Sequence, residues 1–163
     1  MNKVFRASLI SAACLGAFGA ASAATDTANM TVKITVTSTC DIHTVAPTDV
    51  DFGSVASTAT NVASTGGVLT VKCTSGTPYT IGLGNGLNFT TTRQMKNGTA
   101  NFVAYGLFRD AAFSNAWGTV VGTSTQAGTG TGANQNFTVY GRVPSATAAA
   151  GAYTDTVVAT VTY

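Results

Sequence analysis

The amino-acid sequence predicts an all-β protein, an immunoglobulin-like β-sandwich, and three observations carry that expectation. A period-two alternation runs to the last residue, with Tyr153, Asp155, Val157, Ala159, Val161 and Tyr163 on one face, the spacing of a strand with one side turned to a core. A second alternation, with Ala28, Met30, Val32, Ile34 and Val36 on one face, stands near the other extremity. Between them, short runs rich in Thr, Val and aromatic residues are broken by Gly, Asn and Pro turn signals at roughly 8 to 12 residue intervals, the punctuation of a sandwich.

Residues 1–23 read as a secretory signal peptide. Lys3 and Arg6 precede an apolar run from Ala7 to about Ala20, and Ala21-Ser22-Ala23 supplies small residues for cleavage. The run is shorter than the roughly 20 residues that span hydrocarbon, so membrane insertion is not expected. About 140 residues then remain, enough for one core and no second module. Of eight Lys and Arg, Lys3 and Arg6 leave with the leader, so six basic residues face six Asp. A chain so near neutrality has no electrostatic pull toward nucleic acid or an anionic membrane.

Residues 24–37 form the first expected strand. Thr39-Cys40-Asp41-Ile42 begins another, which Pro47 bends or ends, and Val50 to Val55 reads as a short strand or edge continuation. Gly66 and Gly67 lead into Val68 to Thr74, where Leu69, Val71 and Cys73 share a face. Pro78 opens Tyr79 to Leu83, and Gly84-Asn85-Gly86 is a turn signal. Asn88 to Met95 reads as a half-polar strand closed by Lys96-Asn97-Gly98. Phe102 to Phe108 is the most apolar stretch after the leader, expected as a central strand buried on both faces. Ala111 to Trp117 reads as a loop or one helical turn, and Gly118 to Val121 as a short strand. Gly122 to Gln135 is nearly all Gly, Thr, Ala and Ser, too poor in apolar surface to order itself and expected as a mobile loop. Asn136 to Val143 and Ala152 to Tyr163 are the last two strands.

Cys40 and Cys73 are the two cysteines that remain after the leader. In an oxidising compartment such a pair reads as one disulfide, adding roughly 3 to 4 kcal/mol on the chain-entropy model. Chemistry has little to work with: one His, no Glu and six scattered Asp are poor material for acid–base catalysis, and no enzyme is expected. Asp49 and Asp51 fall far short of the six to eight oxygens that Ca2+ takes, so no metal or cofactor is expected.

Strand chemistry remains. A sandwich missing a strand exposes an apolar groove beside unpaired backbone groups, and an extended segment of another chain can fill it. Five apolar side chains buried in this way contribute on the order of 10 kcal/mol before ordering costs. From alternation alone, residues 26–37 could equally be the first strand of the chain's own sheet.

The sequence resembles the archaic, Csu-type chaperone-usher pilins, also described as the spore coat protein U domain family. The likeness rests on Val32-Lys33-Ile34 leading to Cys40, Asp51-Phe52-Gly53, Leu69 to Cys73, Val103 to Ala112, and Gly151 to Val157 with its terminal aromatic. The resemblance implies a pilin fold over residues 38–163, completed by a donor strand from another subunit. It implies Ala28, Met30, Val32, Ile34 and Val36 as donor side chains, Cys40–Cys73 as the disulfide joining the first two major strands, and Val157, Ala159, Val161 and Tyr163 bordering the open groove. The partners it implies are neighbouring copies of the same chain, a periplasmic chaperone, an outer-membrane usher and a tip adhesin subunit. The route is export through the periplasm to a surface pilus that serves adhesion and biofilm formation. Other readings are a spore-coat component, a secreted monomeric carbohydrate-binding sandwich displaying Trp117, and an outer-membrane barrel, against which the disulfide and the lack of aromatic girdles count.

Overall fold

The computed structural model describes residues 22–64, 66–98 and 100–163. The expected signal peptide lies, apart from Ser22 and Ala23, outside the described residues. Residues from Val36 onward form one compact unit, distinct from the segment before it.

Among the described residues that unit contains nine strands, all antiparallel to their partners: β1 (Cys40–Asp41), β2 (Thr60–Ala63), β3 (Gly67–Cys73), β4 (Pro78–Leu83), β5 (Arg93–Lys96), β6 (Phe102–Phe108), β7 (Gln126–Thr129), β8 (Asn134–Ser145) and β9 (Ala159–Thr162). One sheet has the order β1-β3-β8-β6-β5, with β2 also on β8, and the second has the order β7-β4-β9. No helix occurs among the described residues. This is the all-β, immunoglobulin-like sandwich that the alternation predicts.

The core forms where the inward faces meet. Leu69, Val71 and Cys73 of β3, Val103, Tyr105 and Leu107 of β6, and Val139 and Val143 of β8 pack with Tyr79, Ile81 and Leu83 of β4. Trp117, 1% exposed, is held from both sheets. Its indole Nε1 donates to Ile81 O (2.9 Å) and its backbone N to Leu107 O (2.8 Å), so its one polar side-chain atom is satisfied where burial would otherwise be costly. Cys40 and Cys73 are disulfide-bonded, as expected, and their strands pair in register at the same two residues.

The structure corrects several elements. Val50 to Val55 forms no ladder; Val50 and Phe52 pack against the core, but Asp51 Oδ1 accepts from Gly53 N (2.8 Å) and turns the chain. The expected strand from Asn88 is confined to β5, because Asp155 takes the Leu87 N–H and the Asn88 amide (2.9 and 3.2 Å) and holds the chain out of an earlier start. β6 has its expected bounds but alternates, with Val103, Tyr105 and Leu107 buried and Phe102 exposed, so one face rather than both is covered. Gly118 to Val121 is not a strand.

Gly122 to Gln135 holds an ordered strand in place of the expected mobile loop. β7 pairs with β4 from Pro78↔Thr129 to Ile81↔Gln126. Gly128 sits opposite Tyr79, and a Cβ there would lie 2.5 Å from the ring carbon Cζ; the Tyr79 ring covers this glycine, whose lack of a side chain lets the strand close. Arg109 ties down the approach to β7, donating to Thr125 O (2.8 Å) and Thr123 O (3.2 Å).

Candidate functional site: an open groove along the C-terminal strand

Ala152 to Tyr163 enters a ladder only over β9, where Ala159 to Thr162 pair with Leu83 to Thr80 of β4. Upstream, Thr154 exchanges backbone bonds with Lys96 (2.9 and 3.0 Å), and Gly84 N donates to Val158 O (2.8 Å). The predicted alternation survives throughout: Tyr153, Asp155, Val157, Ala159 and Val161 are half-buried and the residues between them exposed. β9 ends its sheet, so its outer edge has no strand partner among the described residues.

A groove of about 810 Å³ runs beside the segment that leads into that edge and reaches Ala159, the first residue of β9. One wall is the segment from Ile42 to Phe52, the other Tyr153 to Ala159, and the floor is Leu69, Leu83, Met95, Tyr105, Leu107 and Val139. A second hollow of about 640 Å³ shares Val50, Phe52, Met95 and Tyr153 with it and extends past Val62, Val103 and Ala146 to Ala152. The described side chains thus leave a trough with an apolar floor, one wall of which leads into the open edge of β9.

A polar clamp holds the trough's C-terminal wall. Tyr105 OH donates to Asp155 Oδ2 (2.6 Å) while Asp155 Oδ1 accepts from Leu87 N and Asn88 Nδ2. Burial pushes the Tyr105 phenol well above its ordinary range, and the Asp155 hydrogen bond acts the same way. Gly86, at φ 85°, faces the Asp155 carboxylate so closely that a Cβ could not be placed there. Arg93 donates to Leu83 O (2.8 Å), Gly84 O (2.9 Å) and Trp117 O (2.8 Å), tying β5 to the end of β4; burial lowers its pKa. Among the described residues, the groove is lined by the carboxylates of Asp49, Asp51 and Asp155, with His43 and without Lys or Arg.

The residues predicted as a site fall into three sets. Ala28, Met30, Val32, Ile34 and Val36 lie in a stretch that makes no ladder, with Met30, Val32 and Ile34 each 88% exposed. Val157 and Ala159 line the groove; Val161 packs on the core in the same row, and Tyr163 is 60% exposed. The Cys40–Cys73 bridge fixes β1, which leads into the first wall. Sequence reasoning did not single out Tyr105, Asp155 or Arg93 as groove residues. The signal was present in that Tyr105 and Asp155 each sit within a motif that carried the family resemblance, and the fold brings the two motifs together. Trp117, read as a sugar platform in the carbohydrate-binding alternative, is buried and cannot serve as one.

The fold is a β-sandwich with a groove along one side, and comparison with known proteins gives its family. The chain belongs to the Spore Coat Protein U domain family, whose model matches residues 26–160. It is 36% identical to Protein U of Myxococcus xanthus over a 172-position alignment covering 96% of each chain. Among solved structures it is similar, at 27% identity and a TM-score of 0.59, to a chain of the CsuC–CsuE chaperone–tip adhesion subunit pre-assembly complex from the archaic chaperone-usher Csu pili of Acinetobacter baumannii. That alignment covers 79% of this chain and 41% of the solved one, so the chain spans less than half the length of the chain it matches.

Proposed function

We propose that this protein is a structural subunit of an archaic chaperone-usher pilus, exported through the periplasm and polymerised by donor-strand exchange into a surface fibre for adhesion and biofilm formation. Residues 24–37 of one copy form the strand that fills the groove of the next, with Ala28, Met30, Val32, Ile34 and Val36 turned inward and main-chain bonds made to the outer edge of β9 along Val157, Ala159, Val161 and Tyr163. Before assembly a periplasmic chaperone lends a strand to the same groove, an outer-membrane usher receives the subunit, and a tip adhesin subunit caps the fibre. The observation that carries the reading is the unpaired β9 edge beside an apolar trough, in a chain that also exposes an apolar stripe of strand period. Backbone pairing with alternate side chains in pockets is how extended segments complete open sheets, and the likeness to the Csu complex supports a chaperone partner.

The test is denaturing electrophoresis of exported protein, unheated and boiled, for the wild type and for Val32→Asp with Ile34→Asp. Multimers in the unheated wild type that boiling collapses and the variant lacks are the expected result. A lone monomer band in every unheated sample, the wild type included, would overturn it. A coat-building role is a second reading, favoured by the Protein U relative and the family's description; recovery of the multimers in a spore coat, with no fibre at the cell surface, would select it.

A further inference from the structure

The groove carries charge of one sign. Asp49, Asp51 and Asp155 line it, without a Lys or Arg among the described residues, whereas the segment from Ala28 to Val36 carries one charged residue, Lys33. Two of the three carboxylates are already engaged: Asp51 Oδ1 by Gly53 N (2.8 Å), and Asp155 by Leu87, Asn88 and Tyr105. Asp49 is exposed, and no hydrogen bond or ion pair holds its carboxylate among the described residues. Its backbone is nonetheless fixed, because Thr48 N donates to Val68 O (3.0 Å) and Val68 N to Thr48 Oγ1 (2.8 Å). Val50 beside it packs inward, which leaves Asp49 on the outer rim.

We infer that Lys33 of one copy pairs with Asp49 of the copy receiving its strand, and that this contact sets the register of the inserted segment. The inference rests on the strand-donation reading above. With Met30, Val32 and Ile34 turned into the trough, Lys33 turns outward by strand alternation, onto the face where Asp49 stands. A segment seated in the groove runs between the β9 side and the wall from Ile42 to Phe52 that carries Asp49, and opposite charges on one side of adjacent backbone segments lie within reach of each other. A slip of one residue would turn Lys33 into the apolar floor and the apolar row out, and a slip of two would carry its charge about 7 Å from Asp49.

The experiment compares wild type, Lys33→Asp, Asp49→Lys and the double exchange, expressed and exported as full chains. It measures the yield of heat-labile multimers and the NaCl dependence of their assembly. Each single variant is expected to lower the yield roughly three- to tenfold, by loss of a partly exposed pair and gain of a like-charge contact. The double exchange is expected to restore it, since every junction of the polymer then holds the same pair with its charges reversed. Wild-type assembly is expected to slow with added salt, which screens such pairs. A double variant no better than the worse single would overturn the pairing, and a restored double variant excludes misfolding as the cause of loss. Wild-type yield in Lys33→Asp, with multimers still abolished by Val32→Asp and Ile34→Asp, would overturn the pairing while leaving strand donation intact. Absence of multimers in the wild type would overturn strand donation itself. Multimers containing a second polypeptide in equal amount would assign the groove to another occupant and overturn the pairing with it.

Discussion

The two ends of this chain carry the same sequence pattern and meet different fates. Along Tyr153 to Val161 the alternation is half-buried, ends in a ladder with β4 and packs on the core. Along Ala28 to Val36 it makes no ladder and its large side chains are exposed. Period two therefore reports that a segment is suited to a half-buried sheet position, without saying which chain supplies the rest of the sheet. What separates the two is the set of specific polar attachments. The C-terminal row is held through Asp155, Thr154 and Val158 to Tyr105, Lys96 and Gly84, and the N-terminal row has Asn29, Thr31, Lys33 and Thr35 between its apolar positions.

That contrast predicts two kinds of mutational effect. At the N-terminal row, Val32→Asp with Ile34→Asp should remove multimers altogether while leaving the monomer's melting temperature within a degree or so of the wild type, as surface substitutions do. A marked loss of monomer stability, read by circular dichroism, would place those side chains in the monomer's own core. The C-terminal counterpart, Val161→Asp, puts a charge against the core opposite Ile81 and should destabilise the monomer by about 2 to 4 kcal/mol. Denaturant titration of the chaperone-free monomer measures it, and an unchanged midpoint would show that β9 is not part of the cooperative unit.

Within the body, Trp117→Ala should cost about 3 to 5 kcal/mol, since it empties a fully buried site that both sheets share. Gly128→Ala should cost about 1 to 3 kcal/mol, because the new methyl meets the Tyr79 ring; a neutral outcome would mean that β7 yields freely. The Tyr105–Asp155 bond has a pH signature. The Tyr105 phenol is raised in the folded state, so its contribution is complete below the unfolded value near 10 and is lost as pH climbs through the raised value. Tyr105→Phe should therefore lower stability at neutral pH by about 1 to 2 kcal/mol and flatten the decline above about pH 10, both visible in urea titrations across that range.

Much of this was legible in the residues. β3, β4 and β6 keep their expected bounds to within a residue, and the cysteine pair forms the expected bridge. What was not legible depends on partners distant in sequence. β7 has almost no apolar surface of its own and is ordered by the Tyr79 ring lying over Gly128 and by Arg109 on the carbonyls before it. β2, with Val62 its only large apolar residue, exists because β8 offers Arg142, Val143 and Ser145 as an edge. Of the groove, the family resemblance made part of one border legible, at Val157 and Ala159, but not the floor, which gathers side chains from β3, β4, β5, β6 and β8, strands far apart in sequence.

The account turns on whether residues 28–36 find their sheet in another copy, and amide hydrogen exchange measured on the monomer and on the multimer asks this directly. The prediction is that amides from Ala28 to Val36 exchange freely in the monomer and become strongly protected in the multimer, together with those on the outer edge of β9. Protection of residues 28–36 already present in the monomer, unchanged on assembly, would contradict it.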